Sequence, residues 1–240
     1  MRYRSIADEL RARVEAGEFG AGRLLPSESA LSSAYAVSRV TVRKALELLR
    51  DEGLIDARQG FGWFVATNPV RQPLARLGTI EDQLAGLGLD SERRVVGFRF
   101  VQAPPRVAQV LGTASVLEVR RVNLADGEPF ARVTVWCPED LGADLSRAEV
   151  ERAPFYDLVG VAIGSATQTI GAVAAGPADA RLLAVPVGSP MLRCERITRD
   201  HDDRPVLVSE FLFPAHRTEF VVELPTVSPS IGPSGLRLVE

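Results

Sequence analysis

Four side chains bunched at the start of one apolar-periodic segment carry the most legible chemistry in the chain: Ser38, Arg39, Thr41 and Arg43. An arginine forks its N–H groups onto guanine or onto a phosphate, and a threonine offers a hydroxyl to phosphate or a methyl to thymine. Grouped on one face at a helix N-terminus, such residues read DNA. They need a helix whose other face is buried. Val42, Ala45, Leu46 and Leu49 recur at three- and four-residue spacing, and Ser38 is placed to cap that helix. Just upstream, Pro26-Ser27-Glu28 opens a shorter helix, with Ser27 as its N-cap, Glu28 complementing the positive helix end, and Leu31 and Ala34 facing inward. Tyr35-Ala36-Val37 breaks the period between the two.

Further elements are required to hold this pair. The pattern predicts a first helix over residues 5–16 that packs Ile6, Leu10 and Val14 and ends near Gly17. After the reading helix, Glu52-Gly53-Leu54-Ile55 supplies a glycine stop and a strand. Arg58-Gln59-Gly60-Phe61-Gly62 reads as a hairpin tip and Trp63-Phe64-Val65 as the returning strand. The whole is a winged helix-turn-helix over residues 1–66. That stretch holds ten Arg plus Lys against nine Asp plus Glu. DNA binding must therefore rest on a local stripe, weakened by salt with a log-log slope of about −0.9 per phosphate neutralised.

The remaining chemistry is sparse. Cys137 and Cys194 are too few and too isolated for a zinc site or disulfide framework and read as small strand residues; His201 and His216 sit beside turn signals without metal-ligand spacing. No Ser/His/Asp or Cys/His arrangement presents itself, so no catalytic residue, metal or cofactor is expected. The 240 residues, 46% of them hydrophobic, are enough for one small and one medium domain. No apolar stretch approaches the ~18 residues of a membrane helix. The first four positions already carry charge, so a cytoplasmic protein with no membrane partner is expected.

Residues 67–76 contain two prolines and no period, the composition of a connector. Residues 77–226 change character: Thr79 could cap a short helix, alternating runs appear at 95–101, 117–124, 130–136, 166–174, 191–199, 205–213 and 219–224, and helices at 105–111, near 154–159 and at 177–183. Strands joined by tight Asp-Gly or Asp-Asp turns make an antiparallel α+β domain. Residues 227–240 read as a tail.

Two resemblances attach to these residues. Tyr3-Arg4-Ser5-Ile6-Ala7, Leu25-Pro26-Ser27-Glu28, Val37-Ser38-Arg39-Val40-Thr41-Val42-Arg43-Lys44-Ala45-Leu46, Glu52-Gly53-Leu54-Ile55 and Gln59-Gly60-Phe61-Gly62-Trp63-Phe64-Val65 resemble the DNA-binding domain of GntR-type bacterial regulators. The resemblance implies a dimer on a short palindromic DNA operator, with contacts from Ser38, Arg39, Thr41, Arg43 and Gly60. Two departures stand out: Ser29 occupies a position where the family usually has arginine, and Phe61 one where the wing tip is often basic or polar. Residues 121–130, 155–158, 180–196 and 204–209 resemble the UTRA domain of the HutC subfamily, a chorismate-lyase-like antiparallel fold that binds a small-molecule effector and forms the homodimer.

That second resemblance also bears on the ligand. Members that sense phosphorylated amino sugars tend to carry a second arginine where Asn123 stands, a Ser or Thr where Ile80-Glu81 begin a helix, a serine where Pro154 stands and a glutamate where Val133 stands. Losing these groups, and placing the Glu81 carboxylate nearby, disfavours a phosphate dianion. Strand alternation puts Leu207, Ser209, Phe211 and Phe213 on one face, with Val133 and Val135 facing the same interior. The expected effector-binding residues are Arg121, Asn123 and Tyr156 as orienting groups with Ser209, Phe211 and Phe213, around a non-phosphorylated metabolite carrying at most a single carboxylate. On another reading, Arg121 is a salt-bridged strand residue and the Leu-Phe face is simply core. The function expected is a ligand-released repressor, and an effector-independent autoregulator or a lyase-like enzyme are the alternatives.

Overall fold

The computed structural model describes residues 2–19, 22–58, 62–66, 69–74 and 77–224. The expected wing tip with Gly60 and Phe61, and the tail at 227–240, lie outside the described residues.

The N-terminal part consists of α1 (Arg2–Glu15), α2 (Glu28–Ala34), α3 (Arg39–Asp51) and a hairpin of β1 (Ile55–Arg58) with β2 (Gly62–Val65). Both serine caps form: Ser27 Oγ accepts from the Ala30 amide and Ser38 Oγ from the Thr41 amide, each at 3.2 Å. Between α2 and α3 the chain turns through Ala36 at φ 50°, a left-handed conformation that a side chain enters at some cost and that reverses the helix direction within three residues. Leu10 of α1, Leu31 of α2, and Val42, Leu46 and Leu49 of α3 are fully enclosed in one core, closed below by Ile55.

The C-terminal part is built on β4 (Ser91–Gln102), β5 (Ser115–Ala125), β6 (Glu128–Pro138), β7 (Ile163–Ala174), β8 (Pro190–Asp200) and β9 (Pro205–Pro214), antiparallel throughout in the order β4-β5-β6-β9-β8-β7. Asp126 and Gly127, at φ 49° and 78°, make the tight turn from β5 to β6. One face of the sheet is covered by α4 (Ile80–Ala85), α6 (Glu139–Gly142), α7 (Arg147–Arg152) and α8 (Phe155–Leu158), which enclose the largest core. The other packs α5 (Pro105–Leu111) and α9 (Pro177–Leu182) and carries ion pairs across its strands, such as Arg132 with Asp179 and Glu210. α6 and α7 were not anticipated. The capping box at Ser146 and Glu149 was the visible signal of α7; α6 follows Pro138 and has no side-chain cap.

The connector expected at 67–76 is a strand in its middle. β3 (Val70–Pro73) pairs in parallel with β10 (Thr218–Val221), because Val70 and Gln72 alternate inward and the residue before Pro73 is biased to extended backbone. The strand expected at 219–224 is accordingly shifted to Thr218–Val221.

The two parts also touch directly. Residues 22–25 run beside β2, with Leu24 bridging to Phe64. Phe64 does not point into the helical core: it packs with Leu183, Met191 and Leu212 of the C-terminal part, with the His216 ring at 5.3 Å. The Gly22 carbonyl accepts from His216 Nε2 at 3.0 Å and from Arg217 Nη2 at 2.9 Å, and Arg23 pairs with Glu128 at 2.6 Å. Gly22 has φ 71°, and a Cβ there would lie 2.7 Å from Arg217 Nε, so only glycine allows this approach. Phe64→Ala should cost about 3–5 kcal/mol of this docking. Calorimetry should then resolve two transitions where the native chain shows one; a single transition at an unchanged temperature would show that the contact does not hold the parts together.

Candidate DNA-reading surface and effector pocket

On the first turns of α3, Arg39, Val40, Arg43 and Lys44 are exposed. Ser38 and Thr41 are committed to the helix end, their hydroxyl oxygens 2.9 Å apart and Ser38 Oγ accepting the Thr41 amide. The arginines are oriented by α2. Arg39 Nη2 donates to Ser29 Oγ at 2.9 Å, and Arg43 forks onto Glu28 through Nε at 2.9 Å and Nη2 at 2.7 Å. Trp63 of β2 donates its indole N–H to the same carboxylate at 3.2 Å. The Arg43 guanidinium, aided by that indole and against the effect of partial burial, holds the Glu28 carboxyl below the usual range. The surface thus presents one arginine resting on a neutral hydroxyl and one neutralised by a carboxylate. Val40, 66% exposed at the second helical position, went unnoticed in the sequence because it breaks no pattern; a bare isopropyl group there suits a thymine methyl.

The pocket follows from sheet register. Arg121 of β5 lies opposite Val133 of β6, Val133 opposite Phe211 of β9, and Phe211 opposite Cys194 of β8. The adjacent row on the same face is Val119, Val135, Ser209, Arg196. Above these rows, the start of α4 (Thr79, Ile80) and α8 (Phe155, Tyr156) close a narrow cavity with about 30 Å³ of free interior volume, so a ligand larger than a water or two must displace its walls. Arg121, Tyr156, Ser209 and Phe211 line it, with Val135, Leu207 and Arg196.

Arg121 is only 6% exposed, and among the described residues its Nε and Nη1 have no hydrogen-bond partner. Burial pulls its pKa down to about 10, and the charge of Glu81 works against that fall. It remains a cation at neutral pH. Glu81 is not itself a cavity-lining group: it accepts from Arg93 at 2.8 Å and from Asn123 Nδ2 at 2.6 Å. Burial pushes the Glu81 carboxyl up, but Arg121 and Arg93 outweigh it and leave it below the ordinary range.

The structure separates the six expected effector residues. Asn123, fully buried, faces Glu81 behind the cavity, and Phe213 stacks on Phe211 and meets Phe130 and Phe220 edge-on as part of the core. Arg196 was missed. It donates to the Tyr156 hydroxyl at 3.0 Å, to the Gly78 carbonyl at 3.2 Å and to Gln168 Oε1 at 2.9 Å, and lies 4.9 Å over the Phe211 ring. Its signal was its alternation with Cys194 on β8, a charged position in step with apolar ones. Cys137 and Cys194 are buried thiols whose pKa burial raises to about 12. Among the described residues no group of three His, Cys, Asp or Glu could hold a metal ion, and no helix is long and apolar enough to cross a membrane.

Comparison with known proteins agrees with both halves. Residues 2–65 match the family of bacterial regulatory proteins of the gntR type, and residues 86–219 match the UTRA domain. The HTH-type transcriptional regulator Rv0792c of Mycobacterium tuberculosis is 34% identical over 235 residues, covering 95% of this chain and 87% of that protein. The probable fructoselysine utilization operon transcriptional repressor of Escherichia coli K12 is 29% identical, covering 92% of this chain and 93% of its own. The crystal structure of PhnF from Mycobacterium smegmatis superposes with a TM-score of 0.61 at 26% identity, over 92% of this chain and 99% of that one. The winged helix with its α3 surface and the six-stranded domain behind it are therefore one regulator: the chain belongs to the GntR family of bacterial transcriptional regulators and carries a UTRA domain.

Proposed function

We propose that this regulator is a homodimeric repressor that binds a palindromic operator through α3 of each protomer and is released by a small, non-phosphorylated metabolite bearing a single carboxylate. Repression is the stated role of relatives such as the HTH-type transcriptional repressor NagR of Bacillus subtilis and the mannosyl-D-glycerate transport/metabolism system repressor MngR of Escherichia coli, at 28% and 32% identity. The observation that carries the ligand assignment is Arg121, a buried cation whose Nε and Nη1 have no partner, in a cavity lined also by Val135, Leu207, Phe155 and Phe211 and by a second guanidinium, Arg196, whose donors are taken by Tyr156, Gly78 and Gln168. One carboxylate would satisfy those donors, and Ser209 and Tyr156 would orient the rest. A dianion would meet the field of Glu81. Release follows if the ligand prefers a domain arrangement whose two α3 helices no longer match half-sites about 10 base pairs apart. A regulator of this kind works in the cytoplasm, where its operator is.

For the DNA side, Arg39, Arg43 and Val40 are the base-reading candidates, with Ser38 and Thr41 holding the helix end and Gly60 of the wing as a further proposed contact. Selection of bound duplexes from random DNA by the purified protein should enrich a palindrome. Arg39→Ala and Arg43→Ala should each cost about 1–3 kcal/mol of operator affinity; unchanged affinity in both would remove α3 as the reading helix.

For the ligand side, Arg121→Met should stabilise the ligand-free protein by on the order of 1–4 kcal/mol, and so raise its melting temperature, because it removes a buried cation whose hydrogen bonds are incomplete. It should also abolish the stabilisation, about 2.7 kcal/mol at 100 times Kd, that a saturating monocarboxylate gives the native chain. Since the protonated guanidinium is the binding form, that stabilisation should hold flat from pH 6 to 9 and vanish as pH rises through about 10. A melting temperature that falls in Arg121→Met would make Arg121 a structural residue.

A further inference from the structure

We propose that the effector site has a second compartment beyond Arg196, in which Gln72 and Gln83 bind a hydroxyl at the far end of the ligand, so that the effector is a hydroxylated monocarboxylate. This rests on the monocarboxylate reading above and adds the group that the rest of the molecule must carry.

Gln72 stands where a strand ordinarily buries an apolar side chain. On β3 it alternates inward with Val70, is 4% exposed and lies opposite Phe220 of β10. Among the described residues its Nε2 has no hydrogen-bond partner. Gln83 of α4 faces the same space, and its Oε1 is buried without a partner as well. A buried amide with an unmatched donor or acceptor is costly, so two of them at one gap call for a group that answers both. The free space they line is about 10 Å³, room for a single hydroxyl. It adjoins a recess of about 180 Å³ whose walls include Gln72, Gln83 and Gln168.

The two bare atoms define the chemistry of the group that fits. A hydroxyl can accept from Gln72 Nε2 and donate to Gln83 Oε1 at once. A carboxylate would answer the donor and oppose the acceptor. An ammonium would answer the acceptor and meet the Arg196 guanidinium, which lines the same space, where no described Asp or Glu could offset it. An apolar end would leave both atoms unmatched. Arg196 also lines the cavity around Arg121, so the two compartments share one wall. That cavity is too narrow for a whole metabolite, and the contact that must yield is the one from Arg196 to the Gly78 carbonyl at 3.2 Å, the longest of its three hydrogen bonds. A ligand passing there keeps its carboxylate on Arg121 and sets its hydroxyl on Gln72, against the strand that follows β2 out of the DNA-binding half.

Titration calorimetry of the full chain with two series of acids tests this: the unbranched monocarboxylates from butyrate to octanoate, and their counterparts with a hydroxyl on the last carbon. At one chain length or more, the hydroxy acid should bind roughly tenfold tighter than its plain counterpart. Gln72→Leu and Gln83→Leu, which nearly preserve side-chain size, should each abolish that advantage and leave the affinity of the plain acid unchanged. Each should also raise the melting temperature of the ligand-free chain, because an unmatched amide is removed. No advantage at any length, an advantage that survives either substitution, or a melting temperature that falls in either leucine variant overturns the compartment and leaves the monocarboxylate reading standing. If neither series binds, or both bind Arg121→Met as well as the native chain, the monocarboxylate reading falls and the compartment with it.

Discussion

The C-terminal part is organised around one unfavourable arrangement, a guanidinium held among apolar side chains with two of its N–H groups unmatched. Burying a cation is costly, and a fold tolerates it only where surrounding charge keeps the cation in place or where a binding partner completes it. Here the surroundings do half of that. Arg121 sits on an inner strand, where it cannot reach water, and Glu81 supplies a counter-charge that is itself fixed by Arg93 and Asn123. The lip of the cavity depends on the same set. Glu81 lies in the first turn of α4, whose capping box between Thr79 and Asp82 fixes where that helix begins and so where Thr79 and Ile80 overhang the cavity.

At the other end of the chain the balance is reversed. The α3 surface has few charges, and those it has are held by neighbours before any DNA arrives. Glu28 clamps Arg43, and Trp63 clamps Glu28, so the guanidinium is ordered without being buried. An ordered side chain loses less entropy on binding than a free one, and a neighbouring carboxylate repels phosphate, so both effects trade non-specific affinity for selectivity. Ser29 belongs to the same arrangement: where the family usually carries another arginine, this chain uses a hydroxyl to support Arg39.

The helical half was legible nearly to the residue, because its signals are local. Caps at Ser27 and Ser38, the 3.6-residue period of Val42, Ala45, Leu46 and Leu49, and the glycine after α3 each act within one or two turns. The main strands of the second half were found by alternation, which also put Leu207, Ser209 and Phe211 on the sheet face that the cavity occupies. What escaped depends on pairings distant in sequence. Nothing around Val70 announces a strand until Thr218–Val221 lies beside it, and Asn123 alternates onto the pocket face yet is captured by Glu81 from another element. Arg196 escaped because its partners, Gly78, Tyr156 and Gln168, come from three separate segments. Phe64 was read as an ordinary wing residue, and its burial against Leu183 and Met191 appears only when both halves are folded.

These long-range pairings are also what makes one half able to sense the other. β9 carries Ser209 and Phe211 into the cavity wall and, a few residues later, leads into His216 and Arg217, which hold the Gly22 carbonyl beside β2. Arg217 Nη1 also grips the Pro129 carbonyl at the start of β6, and burial draws its pKa down to about 10 against the opposing charge of Glu128. A strand is stiff along its length, and beyond Pro214 only the turn 215–217, which itself carries His216 and Arg217, separates β9 from that junction, so a change in the packing of Phe211 has little slack in which to be absorbed. Coupling between sites needs a ligand that favours one arrangement over another and a connection without slack. In this chain the strand that lines the cavity, with the short turn that ends it, is that connection.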